Sequence, residues 1–174
     1  WGAVVVIGDK VIELGGGEKH TTNNRMELMA VIKAISPLGS EASKSGEMVL
    51  NSDSSYVING ITKWVYGWQK NGWKNSMKED VVNRDLWEEL IKVSRNLKIK
   101  WNYVGGHIGV LCNERCDVIA TSFANGNDIK LFKGKISDYE YDFSDTKGCG
   151  VKKKSKMKNK LPAYSYLSLV NGVF

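Results

Sequence analysis

Three acidic residues, Glu27, Asp53 and Asp117, stand where structural elements begin or end rather than along a solvent-facing stripe. Carboxylates gathered without lysine or arginine partners repel one another, so a cluster of them makes sense only around hard cations such as Mg²⁺ or Mn²⁺. Two such ions about 3.5 to 4 Å apart suit hydrolysis of a phosphodiester. Taken singly, each acid is better explained by solvation or by the dipole of a helix start. Residue type and spacing alone therefore leave the function open. His107, in GGHIG, adds an imidazole on a glycine-flanked loop, a side chain that ordinarily titrates near neutrality. His20 reads as a surface residue at a strand end.

The elements that must position these side chains follow from local pattern. GAVVVI (2–7) and KVIEL (10–14) are β-branched runs parted by Gly8 and Asp9, which predicts a hairpin. A helix is predicted from an Asn23 or Asn24 cap to about Ile35, with Pro37 stopping it. Residues 47–50 read as a short strand with Asp53 just past its end, followed by a short helix over 54–61. A helix over 83–95, a strand over 99–104 and a helix over 113–123 complete the order. From Asn125 to Gly150 the pattern weakens into a tail that is either wrapped on the domain or loosely ordered.

Composition limits the alternatives. With 42% hydrophobic and 25% charged residues in 174, the chain has the makings of one globular domain with appendages rather than of a disordered polymer. No run approaches the roughly 18 apolar residues of a membrane span, so no membrane partner is expected. The formal charge of +6 is misleading, because six lysines fall within 151–160; the rest carries 19 basic against 19 acidic residues. Attraction to polyanions must therefore come from local patches or from that lysine run. Three cysteines cannot all pair within one chain, and Cys112 and Cys116 lack a nearby second pair of zinc ligands, so a reducing cytoplasm is the expected home.

Four local words are far more distinctive than any single acid. TTNNRMELMA (21–30), NSDSSYVINGITKW (51–64), GWKN (72–75) and NERCDVIA (113–120), in that order and spacing, resemble bacterial type 1 ribonuclease H. The resemblance runs from Trp1 to about Ala124 and implies an α/β, ribonuclease H-like fold: a mixed five-stranded sheet flanked by helices. It implies that Glu27, Asp53 and Asp117 hold two Mg²⁺ or Mn²⁺ ions and that His107 is the mobile loop histidine assisting proton transfer or product release. The activity implied is endonucleolytic hydrolysis of the RNA strand of an RNA/DNA hybrid, leaving 5′-phosphate and 3′-hydroxyl ends, by a monomer.

Hybrid binding has its own signals. From Thr62 to Lys78 the chain carries Lys63, Lys70, Lys74 and Lys78 with no acid, interleaved with Trp64, Trp68 and Trp73. Such a stretch can offer ammonium groups to phosphates and indoles to sugars, although the tryptophans serve equally well as a small satellite core. It resembles the basic protrusion of the bacterial enzymes. The resemblance also gives Asn23, Asn24 and Asn83 minor-groove contacts, where 2′-hydroxyls mark RNA, and Thr22 a DNA phosphate. Ser55 and Gly105 replace a glutamine and a lysine common in relatives, which puts affinity in doubt more than chemistry.

The resemblance further implies a fourth carboxylate, an aspartate on a first strand that should precede Trp1. Without that strand two neighbours would face an unfilled gap. The chain is thus expected to be a piece of a longer protein, unstable alone and weakly active or inactive. The expected organisation is a catalytic domain over 1–124, an extension over 125–150, a lysine-rich linker over 151–161, and at 162–174 a segment resembling the opening of a viroplasmin-like hybrid-binding domain. Two other readings stay open: a hybrid-binding module impaired in catalysis, and a DNA nuclease of the same fold such as a resolvase or transposase core.

Overall fold

The computed structural model describes residues 1–38, 48–105, 111–141 and 165–170, the last six and residues 111–112 by their backbone course. The hairpin forms as the sequence predicts: β1 (Gly2–Ile7) and β2 (Lys10–Gly15) pair antiparallel with Ile7 opposite Lys10. Gly8 sits at φ 58° in the turn, where a side chain would be strained. Residues 2–6 are buried on both faces, the reason their sequence is a continuous apolar run rather than an alternating one.

Further along the chain come α1 (Asn23–Ile35), β3 (Met48–Ser52), α2 (Ser55–Asn59), α3 (Val65–Lys70), α4 (Arg84–Ser94), β4 (Ile99–Tyr103) and α5 (Leu111–Ala124). Thr22 caps α1, not Asn23 or Asn24: its extended backbone (φ −128°, ψ 159°) lets Oγ1 accept from the Arg25 N–H at 3.4 Å. The helix after Asp53 is also longer than predicted. Gly60–Trp64 is π-helical and joins α2 to α3, so the helical course runs on to Lys70. The Gly60 backbone lies directly against the ring of the fully buried Trp87, where any Cβ would collide, and the local widening occurs at this contact.

With β5 (Lys133–Lys135) and β6 (Ser165–Val170), the sheet has six strands among the described residues, not five, in the order β4-β3-β6-β1-β2-β5. Two strands were not expected. β5 (Lys133–Lys135) comes from the extension and pairs antiparallel with β2, so this part of 125–150 is wrapped on the domain. β6 (Ser165–Val170) lies between β3 and β1, parallel to the first and antiparallel to the second, in the place where an unfilled gap was expected. The residues whose sequence resembles the opening of a second domain are here a strand of the first.

Two apolar clusters fill the faces. On one, Leu28, Val31, Ile32 and Ile35 of α1 pack with Ala3, Val5, Leu50, Trp87 and Leu90. On the other, Val4, Val6 and Val11 pack with Cys116 and Tyr139, flanked by Phe132, Ile136 and Tyr141 of the extension. Cys116 is therefore a core residue rather than an exposed ligand. No helix among the described residues is long and apolar enough to cross a membrane.

Candidate active site

Asp53 follows directly on the last residue of β3, and its neighbours fix it from both sides. The buried Ser52 accepts the Ser54 N–H through Oγ at 3.1 Å, which turns the chain sharply around Asp53. Ser54 is the N-cap of α2: its Oγ accepts the Val57 N–H at 3.1 Å and donates its own proton to Glu27 Oε2 in a short hydrogen bond. One hydroxyl thus ties the carboxylate of α1 to the start of α2. Glu27 is half-buried, and burial raises its pKa above the usual carboxylate value, with the Ser54 bond pulling it down and the Asp53 charge pushing it up again.

From the other side, α5 reaches Asp53 through Asn113. This amide is 2% exposed and its Nδ2 donates to Asp53 Oδ2 at 3.2 Å. Asp117 stands one helical turn further along the same helix, so the face of α5 that touches Asp53 also carries the third acid. One oxygen each of Asp53 and Asp117 is shielded from solvent. The two arginines nearest in sequence are committed elsewhere. Arg25 holds Asp85 in a bidentate pair at 3.1 and 2.9 Å, and Arg115 holds Glu13 at 2.7 and 2.8 Å.

Among the described residues no three His, Cys, Asp or Glu side chains gather into a ready cage for a metal ion. Glu27, Asp53 and Asp117 are thus not gathered into one such group; Mg²⁺ in general keeps several waters and binds through one or two carboxylates plus substrate phosphate. The donors present, all hard oxygens, fit such an ion and not a soft one. His107 lies outside the described residues.

Ser54 and Asn113 are the hydrogen-bond partners of the candidate carboxylates that sequence reasoning passed over. A serine directly after a strand-end aspartate and just before a helix is an N-cap signature that could have flagged the first. An asparagine four residues before Asp117 could have flagged the second. Partners that orient metal-binding carboxylates typically matter by 10- to 100-fold. Ser54→Ala should therefore lower kcat by about tenfold, with Ser54→Thr restoring most of it, and Asn113→Ala should lower apparent Mg²⁺ affinity by about tenfold or more. Rate measurements over a Mg²⁺ titration check both, and unchanged titration curves would assign the two residues to folding alone.

The nucleic-acid set divides. Asn23 and Asn24 are exposed at the start of α1, beside the capping Thr22. Asn83 sits in the left-handed region (φ 60°) at the start of α4, where its Nδ2 donates to Tyr56 Oη at 3.2 Å and its Oδ1 accepts from Arg25 at 3.5 Å. The starts of α1 and α4 are thus bound into one polar surface. Trp64 keeps 40% of its surface exposed. Trp68 is partly buried, tilted against Trp64 and edge-on to Trp87 with centroids 5.8 and 5.5 Å away. Trp73 is buried, with Arg84 lying 5.3 Å over its ring, so its indole packs the protrusion instead of facing outward. Lys70 is exposed; Lys74 meets Asp80 at 2.6 Å in a solvent-exposed pair, an attachment weak enough for a phosphate to displace.

The RNase H family profile matches residues 1–125. A ribonuclease H of Geotalea uraniireducens is 45% identical over 135 residues, which cover 78% of this chain and 86% of that protein. One from Bradyrhizobium sp. is 50% identical over 120 residues, 69% of this chain and 75% of that protein. Among solved structures the chain is similar to LC9-RNase H1, described as a type 1 RNase H with the type 2 active-site motif, at a TM-score of 0.61 and 28% identity over 83% of this chain and 71% of the other. A profile spanning most of the chain, near-half identity over most of each relative's length and a shared fold have one meaning: the chain belongs to the RNase H family and is an enzyme of that family.

Proposed function

We propose that the chain hydrolyses the RNA strand of RNA/DNA hybrids endonucleolytically and leaves 5′-phosphate and 3′-hydroxyl ends. The observation that carries this is the linked array at the end of β3, Glu27 to Ser54 beside Asp53 and Asp53 to Asn113, with Asp117 a turn away. Glu27, Asp53 and Asp117 would hold Mg²⁺ or Mn²⁺. Two such ions, when bound, supply Lewis-acid stabilisation of a phosphate and a water acidic enough to attack it. Ser54 and Asn113 keep the carboxylate oxygens of Glu27 and Asp53 aimed at the site. His107 would accept or return a proton near the leaving oxygen.

The polar surface formed by Thr22, Asn23, Asn24 and Asn83 would lie in the minor groove, where 2′-hydroxyls separate an RNA strand from DNA. Trp64, Trp68, Lys70 and Lys74 would follow the partner strand, the lysines giving salt-dependent affinity, while Trp73 supports them from beneath. Base preference would be small, because phosphates and 2′-hydroxyls are common to every hybrid. Ser165–Val170 brings no acidic residue to the sheet, so this strand does not supply the fourth carboxylate the resemblance implies. The chain acts as a monomer in a reducing cytoplasm.

The test compares a labelled RNA/DNA hybrid with double-stranded RNA, double-stranded DNA and single-stranded RNA in Mg²⁺ and in Mn²⁺. Cutting confined to the RNA of the hybrid is the expected result. Tight hybrid binding without cutting in either metal would instead make the chain a binding module.

A further inference from the structure

Tyr56, the second residue of α2, has its hydroxyl fully engaged. Its one proton goes to the Val82 carbonyl at 3.3 Å, while its oxygen accepts from Trp87 Nε1 at 3.1 Å and from Asn83 Nδ2 at 3.2 Å. A hydroxyl has one donor and two acceptor positions, so all three are taken. The phenol is also anchored in the core, since its ring lies 5.3 Å from that of the fully buried Trp87.

Asn83 stands at the start of α4 with φ 60° and ψ 30°, and its side chain makes no capping hydrogen bond. An asparagine in that position ordinarily turns its oxygen to the free amides of the first helical turn. Here Oδ1 accepts from Arg25 Nη1 at 3.5 Å instead, and the guanidinium is itself pinned by Asp85 and by Glu18 at 3.9 Å. The reversed amide would set its NH2 against the guanidinium, donor against donor, and would take the Tyr56 proton away from Val82. Tyr56 and Arg25 together therefore allow one orientation. Among the described residues these contacts use one of the two N–H groups of the amide and one lone pair of its oxygen, which leaves a donor and an acceptor in fixed places. A ribose 2′-hydroxyl is donor and acceptor at once and can meet either, whereas a 2′-deoxyribose offers neither at that carbon.

We propose that Tyr56 and Arg25 are positioning residues that hold the Asn83 amide in this single orientation, and that the fixed amide gives the surface its preference for ribose. The inference rests on the reading of the chain as a hybrid nuclease. Tyr56 acts only through Asn83. The same two helix starts also place a carboxylate, because Ser54, two residues before Tyr56, bonds Glu27, two residues after Arg25. Ribose selection and carboxylate placement thus share one framework.

Binding by the whole chain, measured without divalent ions so that no strand is cut, tests this. The quantity read is the affinity for an RNA/DNA hybrid divided by that for a DNA duplex of the same sequence. The parent should prefer the hybrid. Tyr56→Phe keeps the ring, removes the hydroxyl and should lower that preference by about three- to tenfold, the usual weight of one hydrogen bond. Asn83→Ala should cost at least as much, and adding Tyr56→Phe to Asn83→Ala should change the preference no further, which a double-mutant cycle reads directly. Instability from leaving the Trp87 N–H without its partner would act in both backgrounds and cannot produce that pattern. Arg25→Met, which frees only the exposed Asp85 and Glu18, decides the matter where Tyr56→Phe folds poorly, and should show the same loss only where Asn83 is present. A parent that binds hybrid and DNA duplex alike would overturn the nuclease reading and this role with it. A parent that prefers the hybrid, with the preference kept in both variants or lost equally with and without Asn83, would overturn the positioning role alone.

Discussion

Asp53→Asn should lower the rate of hybrid cutting on the order of a thousandfold, equivalent to about 4 kcal/mol of transition-state stabilisation, and leave the fold intact. The substitution keeps the size of the side chain and an oxygen able to accept the Asn113 amide. What it removes is one negative charge from a group proposed to hold the cation. Asp53 also pushes the half-buried Glu27 carboxyl upward in pKa, so the asparagine relieves a repulsion. The sign follows directly. A carboxyl whose folded pKa lies above its unfolded value destabilises the fold where it is ionised, so at neutral pH and without divalent ions the variant should melt at the same temperature as the parent or higher. Single-turnover cleavage beside a thermal melt checks both parts. An unchanged rate would remove Asp53 from the chemistry, and a large drop in melting temperature would make its role structural.

Arg115→Met should destabilise the chain by about 3 to 5 kcal/mol, the usual result of stranding one partner of a buried ion pair. Glu13 is 3% exposed and, among the described residues, its carboxylate accepts from groups far away in sequence: the Arg115 guanidinium, the Tyr139 hydroxyl at 2.7 Å and the Phe132 N–H at 2.9 Å. Arg115 also donates to the Lys130 carbonyl, so the pair clamps the extension onto β2 and α5. For a domain of this size the loss corresponds to a fall in melting temperature on the order of 10 °C. The double variant Glu13→Leu/Arg115→Met should recover most of it, because no buried charge is left alone.

The same pair sets an acid limit. Burial pushes Glu13 up, but its hydrogen bonds and the Arg115 charge outweigh burial and hold it below the ordinary value of 4.5. A carboxyl depressed in the folded state contributes stability that is present above 4.5 and lost as pH falls through its lower folded value. Melts between pH 6 and about pH 3 should show that loss in the parent and a shallower one in the double variant.

Much of this architecture can be read from local pattern, because local physics decides it. The β1–β2 hairpin follows from β-branched runs around Gly8, and α1 and α5 follow from helical periodicity. The carboxylates could be named because the words around them match those of the family, not because an isolated glutamate at position 27 is distinctive. What escaped are contacts between distant residues. Glu13 looks like the outward residue of an alternating strand, yet Arg115 of α5 and the extension, 126 residues away at Tyr139, hold it buried. The π-helical passage at Gly60–Trp64 meets Trp87, and the buried Trp73 lies under Arg84, contacts that local pattern does not reveal. The gap between β1 and β3 belongs to the sheet as a whole. Its filling by Ser165–Val170 could not be seen in residues that, read alone, look equally like the start of another domain.

Hybrid hydrolysis in Mg²⁺ is tested most directly by the identity of the ends it produces. Carboxylate-held ions acting on water predict cuts in the RNA strand alone, each leaving a 3′-hydroxyl that a polymerase can extend and a 5′-phosphate. RNA pieces ending in 2′,3′-cyclic phosphate, or cuts in the DNA strand, would contradict the account.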